Sequence, residues 1–283
     1  MDKLSKRDIM PVIQAAITED FGDGDHTTLS TIPPEAKGKA RLIAKEPGVI
    51  AGIDVAEAVF TEVDPELVFK AFLSDGDSVE RGAEIFEVSG PSGSILSAER
   101  LALNFMQRMS GIATATAQMV KEIKGTKAVI LDTRKTTPNL RLFEKYAVKA
   151  GGGVNHRFGL FDLIMIKDNH IDFAGGLKSA VEACHQYLRK HNKDLRIEVE
   201  VRTFEELAEV MEVGGVHRVM LDNFTPEDTR KAVEIINGKY ETEASGGITM
   251  ETVRAYAETG VDSISVGALT HRIRSLDLSL KAV

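Results

Sequence analysis

A single cysteine and no apolar run of membrane-spanning length set the first limits on this 283-residue chain. Cys184, being alone, excludes an intrachain disulfide and suits a reducing compartment. It sits in a helix-like stretch with no second cysteine nearby, so it reads as a packed thiol and not as a nucleophile. The missing apolar run argues against a transmembrane helix. The opening residues, MDKLSKRDIM, lack the apolar core of a secretory signal. Positive charge is scarce too: 35 Lys and Arg against 43 Asp and Glu leave a formal charge of −8. That balance disfavours a general nucleic-acid surface, since gripping a phosphate backbone normally takes a basic face. A hydrophobic content of 43% and a charged content of 28% suit one large or two moderate globular domains. A cytoplasmic protein with no membrane or nucleic-acid partner is expected.

One stretch departs from the acidic background. Asp132 to His170 contains D-T-R-K-T-T-P, G-G-G-V-N-H-R and M-I-K-D-N-H, with seven Lys/Arg against four Asp/Glu and two His besides. Its basic residues follow apolar runs, 128–131 and 163–166, instead of decorating a helix. Cations gathered there beside glycine turns suit a pocket for a small polyanion better than a solvated charged face.

The chain divides into two rhythms. Residues 5–20 place Ile9, Val12, Ile13, Ala16 and Ile17 on one helical face, with Pro11 obscuring where the helix starts. Strand-like pieces follow at 40–44, 67–73 and 84–88, broken by a helix over 54–63 that Asp54 is placed to cap. A long helix is expected over 98–124, capped by Ser97, with Leu101, Phe105, Met109, Ile112, Met119 and Ile123 on its apolar face. Residues 75–85, D-G-D-S-V-E-R-G-A-E-I, resemble the hairpin of lipoyl- and biotinyl-carrier domains. No lysine lies between Phe86 and Glu99 to accept such a group, so a structural hairpin is expected. Residues 1–125 thus read as an α+β domain with a connecting helix.

Residues 126–283 alternate regularly and form the second expected domain, with the N-terminal helix or the last segment free to pack on the other one. Strands are predicted at 128–131, 163–166, 197–201, 218–221, 241–244 and 263–266. Helices are predicted at 140–150, 177–190, 204–213, 226–236 and 250–259. Such alternation implies parallel strands with right-handed crossovers. Six strands are fewer than the eight of a closed barrel, which leaves a partial barrel or an open sheet.

Every one of these strands ends in polar or glycine residues: Asp132–Lys135, Lys167–His170, Glu200, Asp222–Asn223, Ser245–Gly247 and Gly267–Ala268. In parallel α/β folds the carboxyl ends of the strands form the active-site rim. Ser245, Gly246 and Gly247, with Val266, Gly267 and Ala268, put small residues where backbone N–H groups can approach a phosphate. Tight strand-to-helix turns are the plainer alternative. His271 would support that phosphate or cap a helix end. Glu200 and Asp222 are candidate Mg²⁺ ligands, the alternative being salt bridges to Lys135 or Lys167. Glu198 and Glu200 project to the same side of their strand. Arg134, Lys135, His156, Arg157 and Lys167 remain for a carboxylate-bearing ring, brought to the mouth by Gly151–Gly153. A Schiff-base lyase using Lys135 or Lys167 is the competing chemistry.

The motifs D-T-R-K-T-T-P, E-K-Y-A-V, G-G-G-V-N-H-R and K-D-N-H resemble those of the quinolinate phosphoribosyltransferase family. E-R-L-A-L-N (99–104), L-D-N-F (221–224), E-A-S-G-G-I (243–248) and V-G-A-L-T-H (266–271) extend the resemblance over nearly the whole chain. It implies an N-terminal α+β sandwich-like domain and an incomplete, open α/β barrel. It further implies phosphoribosyl transfer from phosphoribosyl pyrophosphate to quinolinate, with decarboxylation, in NAD biosynthesis. Thr133, Arg134, His156, Arg157 and Lys167 match positions for the acid, and Arg100 would enter a partner subunit's site in a homodimer. Lys135, Glu200, Asp222 and the strand-end Ser and Gly residues match positions around the pyrophosphate and Mg²⁺, with Lys135, Lys167, Glu200 and Asp222 in the catalytic roles. A relative of the same fold with another ring acceptor, and a non-catalytic binding module, are the remaining alternatives. Two residues depart from the family pattern. Asn139 replaces a glycine after T-T-P, which asks for a positive φ that Asn tolerates. Arg272 replaces a small residue after His271 and bears on the phosphate rim.

Overall fold

The computed structural model describes residues 4–283 as two compact units. One comprises the residues up to Ala117 with Thr136–Gly152 and Leu269–Val283; the other comprises Gln118–Lys135 and Gly153–Ala268. The chain runs through α1 (Lys6–Phe21), α2 (His26–Thr31), β1 (Lys37–Ala44), β2 (Gly48–Val49), α3 (Ile53–Val63), β3 (Val68–Ala71), β4 (Ser78–Val79) and β5 (Glu84–Pro91). It continues through α4 (Ser92–Glu122), β6 (Val129–Leu131), α5 (Arg141–Ala150), β7 (Ile164–Ile166), α6 (Asp168–Ala174), α7 (Leu177–His191) and β8 (Ile197–Val201). The remainder is α8 (Phe204–Val213), β9 (Arg218–Asp222), α9 (Pro226–Ile236), β10 (Glu241–Ser245), α10 (Val253–Ala257), β11 (Ser263–Ser265), α11 (Ala268–His271) and β12 (Leu278–Ala282).

In the first unit an antiparallel sheet of order β12-β1-β5-β3 carries a helix on one face. Phe60 of α3 meets Phe69 of β3 and Phe86 of β5, with centroids 6.1 and 5.9 Å away, within the range of favourable ring contacts. Residues 75–85 form no hairpin with the following strand: β4 pairs with β2. Helix α1 runs through Pro11 and buries Ile9 and Ile13. Two expected caps are corrected. Gly52, at φ 101°, precedes α3, and Asp54 falls in its first turn. Ser97 lies inside α4, which starts six residues earlier than periodicity indicated, and its Oγ donates to Asp25 Oδ2 at 3.0 Å. The predicted apolar face of α4 is buried throughout.

The boundary at 125/126 drawn from the sequence differs from the compact units. β12 pairs with β1 from Ala40↔Ala282 to Ala44↔Leu278 and so returns the last segment to the first sheet. α5 joins the first unit through Glu144, which accepts from Arg108 of α4. Gly151 at the end of α5 has an ordinary φ of −78°. What it needs is room: an added Cβ would lie 2.3 Å from the Ala113 carbonyl oxygen. Gly151→Ala is therefore expected to destabilise by about 1–3 kcal/mol, the usual cost of overpacking, read as a lower urea midpoint at unchanged slope.

The second unit is a six-stranded parallel sheet of order β6-β11-β10-β9-β8-β7. In chain order these are six successive strands, cyclically paired except between the first two. That is the pattern of a barrel left open at one seam. Segment 153–156 lies along the free edge of β6, where Val154 N–H donates to Ile130 O at 2.8 Å and Asp132 N–H to Val154 O at 3.2 Å. Strand side chains alternate faces, so Val199, Val201, Val219 and Leu221 pack under the helices in one apolar cluster. The opposite face carries Glu198, Glu200, Met220 and Asp222. Thr203 and Thr225 cap α8 and α9 by accepting from Glu206 N–H and Asp228 N–H. Helix α10 covers only the middle of the predicted 250–259, and α6 and α11 were not foreseen.

Candidate active site

The polar sheet face opens into a cavity of about 320 Å³, lined by Thr133, Arg134, Lys135, His156, Arg157, Met165, Lys167, Glu200, Met220, Asp222, Glu243, Ser245 and Ser265. That volume suits a small ligand. Seven of these residues were anticipated from the strand ends, and His156 and Arg157 from the glycine-rich segment before them. Met165, Met220, Glu243 and Ser265 were not, although the first three each precede a polar strand-end residue by two positions and must therefore share its face. A larger cavity of about 450 Å³ opens at the amino ends of the same strands. Its cations are already engaged, Lys127 by Asp262 at 2.7 Å, Arg196 by Glu241 at 2.8 Å and Lys239 by the Met211 carbonyl at 2.8 Å. The smaller cavity is the chemical one because it lies at the carboxyl ends of the strands and holds a buried guanidinium nitrogen, Arg134 Nε, with no hydrogen-bond partner.

Local structure explains how each side chain reaches the mouth. The Thr133 hydroxyl accepts the Lys135 N–H at 3.0 Å and shapes the turn after β6. Asn139, in the loop that follows, takes φ 65°, the conformation its glycine-like position demanded. Asp132 is buried and accepts the His156 N–H at 2.8 Å, tying the glycine-rich segment to the end of β6. His170 Nδ1 accepts the Lys167 N–H at 3.0 Å, so the K-D-N-H motif fixes the backbone at the start of α6. Gly246 and Gly247 have φ of +97° and +61°. A Cβ on Gly246 would lie 2.2 Å from Asn223 Oδ1, so this turn admits no side chain.

The electrostatics are those of a site awaiting an anion. Arg134 Nε is buried without a hydrogen-bond partner, an arrangement that is costly in a folded protein. Burial, and then the neighbouring charge of Arg134, hold the Arg157 pKa below its ordinary value. Arg157 Nη1 donates to Leu163 O at 3.2 Å. Lys167 Nζ bonds Glu200 Oε2, so the salt bridge weighed against metal binding is present at Glu200. Asp222 Oδ2 accepts from Asn223 Nδ2 at 2.7 Å. Both carboxylates line the cavity, and hard oxygen donors of this kind could hold Mg²⁺.

His156 rests on two acids missed by sequence reasoning. Its Nε2 lies 3.2 Å from Glu198 Oε2 and 3.3 Å from Glu243 Oε2, both carboxylates being fully buried. Burial, the largest influence, lowers the His156 pKa; the bonds and charges of the two glutamates outweigh it and raise the pKa to about 9. Glu198 is itself raised, first by burial and then by Glu243. His156 Nδ1 meanwhile accepts the Arg157 N–H at 2.6 Å, which opposes a proton there. With Nδ1 accepting, Nε2 is the ring nitrogen that donates toward the carboxylates.

Several anticipated residues do not line the cavity. Arg100 and His271 belong to the first unit, Arg100 exposed on α4 and His271 closing α11. Gly246 and Gly247 follow Ser245 directly at the rim. Val266 is buried and donates its N–H to Leu131 O, which leaves Gly267 and Ala268 to carry the turn after β11.

Comparison with known proteins is consistent along the chain. The model of "Quinolinate phosphoribosyl transferase, C-terminal domain" matches residues 112–281, and that of the N-terminal domain matches residues 25–110. A quinolinate phosphoribosyltransferase [decarboxylating] of Nicotiana tabacum is 48% identical, over 97% of this chain and 82% of that protein. A probable nicotinate-nucleotide pyrophosphorylase [carboxylating] of Bacillus subtilis is 44% identical, over 93% and 89%. The solved nicotinate-nucleotide pyrophosphorylase of Francisella tularensis superposes with a TM-score of 0.94 at 40% identity, covering 99% of this chain and 98% of that one.

Proposed function

The chain belongs to the quinolinate phosphoribosyl transferase family, and we propose that it joins quinolinate to the phosphoribosyl group of phosphoribosyl pyrophosphate, releasing pyrophosphate and CO₂ and yielding nicotinate mononucleotide. The observation that carries this reading is the buried, unpartnered Arg134 Nε in a wall that also holds Lys135, His156, Arg157 and Lys167. A dianionic ring acid is the ligand such a wall fits. Forked guanidinium donors match planar carboxylates, and Met165 and Met220 offer a polarisable surface to the ring.

Arg134, His156, Arg157 and Lys167, with Thr133, orient the dicarboxylate so that its ring nitrogen faces the ribose. Lys135, Ser245, Gly246 and Gly247, together with Gly267 and Ala268, hold the phosphates. Glu200 and Asp222 hold Mg²⁺, which when bound supplies countercharge to the pyrophosphate. The C1–oxygen bond breaks with its electron pair leaving on pyrophosphate, and the ring nitrogen forms the new bond to C1. The resulting pyridinium accepts the electron pair of the adjacent carbon–carboxylate bond as CO₂ departs, and that carbon then takes a proton. Fixed positive charge stabilises both stages, and no covalent enzyme intermediate is required.

A homodimer with Arg100 reaching the partner's site is supported by the exposure of Arg100 on α4. A cytoplasmic location is supported by the lone cysteine, and no helix among the described residues is long and apolar enough to cross a membrane. The lyase reading is disfavoured because the Lys167 amine is engaged by the Glu200 carboxylate and does not stand free in an apolar pocket.

The test is direct. With quinolinate, phosphoribosyl pyrophosphate and Mg²⁺, the protein is expected to release CO₂ and nicotinate mononucleotide in equal amounts. Chelating the metal should stop turnover, and added Mg²⁺ should restore it. Turnover that survives complete chelation would remove the roles given to Glu200 and Asp222.

A further inference from the structure

Beneath the cationic mouth, the sheet buries a charged cluster that the proposed reaction does not require directly. Glu198 of β8 and Glu243 of β10 are 0% exposed, and Arg218 on the strand between them lies 3.6 and 3.1 Å from their carboxylates. Register makes this unavoidable: Glu198 stands beside Arg218, and Glu243 beside Met220 on the same face. Two neighbouring carboxylates out of water repel each other and are costly to desolvate. Nothing in the apolar cluster on the other face calls for them. What they touch toward the cavity is His156.

Taking the cavity as the dicarboxylate site proposed above, we infer that Glu198 and Glu243 are positioning residues that fix the His156 ring in the orientation in which it meets the aromatic acid. The His156 backbone is already tied, its N–H donating to Asp132 Oδ1. The ring is held on one side by the Arg157 N–H at Nδ1 and on the other by both carboxylates at Nε2. A ring locked in this way gives up no rotational freedom when the acid binds, so the effect falls on affinity for that substrate. Arg218 supplies the countercharge that a cation would bring to a His–Glu–Glu cluster. The cluster accordingly takes no metal.

The experiment is a double-mutant cycle on the Mg²⁺-loaded enzyme, using the near-isosteric Glu243→Gln and, separately, Glu198→Gln. Each is expected to raise KM for quinolinate about tenfold, the scale of lost outer-shell support, with KM for phosphoribosyl pyrophosphate unchanged. Neither should add to the effect of His156→Asn. Equal costs with and without His156, or parallel rises in both KM values, would mean that the glutamates serve only the fold and would overturn the proposal. So would one tightly held transition metal per wild-type chain that is lost in Glu243→Gln. A readout independent of turnover and of variant folding is the wild-type imidazole spectrum by proton–nitrogen NMR. A slowly exchanging Nε2 proton supports the clamp, and one averaged with solvent refutes it. A wild type that ignores quinolinate but shows the protected proton would sink the substrate reading and leave the clamp standing.

Discussion

Arg134→Ala is expected to lower kcat/KM for quinolinate by about 10³-fold, on the order of 4 kcal/mol of lost binding to the reacting state. The reason is that the guanidinium is held ready for a partner it does not yet have: Nε is buried without a hydrogen bond. Binding a carboxylate satisfies that donor, and truncation leaves the carboxylate in the cavity with one fewer cation. Arg134→Lys should recover only part of the loss, since an ammonium keeps the charge but not the fork. The same argument predicts a rise in stability. The charge of Arg134 presses on Arg157, so Arg134→Met, which keeps the stem and removes the charge, should raise Tm while abolishing turnover. A strained functional residue behaves in this way, whereas a structural one would lose stability and activity together. Calorimetry and steady-state kinetics on the same preparations decide between them.

Arg108→Met is expected to cost about 3–5 kcal/mol of stability, the penalty for leaving a buried charge unpaired. Glu144, 1% exposed, accepts from Arg108 Nε at 2.8 Å and Nη2 at 2.6 Å. Its other oxygen accepts the Thr137 N–H at 3.1 Å, and Arg108 Nη2 also donates to the Thr137 hydroxyl at 2.7 Å. One guanidinium thus ties α4, α5 and the T-T-P segment of the first unit. Pairing Arg108→Met with Glu144→Gln should recover about half of the loss, because the stranded carboxylate is gone while the loop bonds are not. Urea titration measures this. If the single variant cost under about 1 kcal/mol, the pair would be behaving as an ordinary surface bridge.

Much of the second unit was written locally. I-E-V-E-V announces a strand with one apolar and one polar face, and five residues folded in that way need no distant partner to alternate. Asn139 at its positive φ, and the Thr caps of α8 and α9, are likewise decided within one turn of chain. The strand-end rule found seven lining residues because parallel topology sends every carboxyl end to one rim. Tertiary structure decided the rest. Nothing near Glu243 in sequence says that it lies against His156, and nothing near Glu144 names Arg108. Those contacts exist only once strand order and helix packing bring the segments together. The same holds for β12, which no local pattern announced and which is made a strand by the open edge of β1. The amino-acid order fixed which groups face which way over a few residues, because alternation and helical pitch are short-range steric facts. Pairing of charges across the fold waited on topology, because a buried ion chooses its partner from whatever the packed chain places within reach.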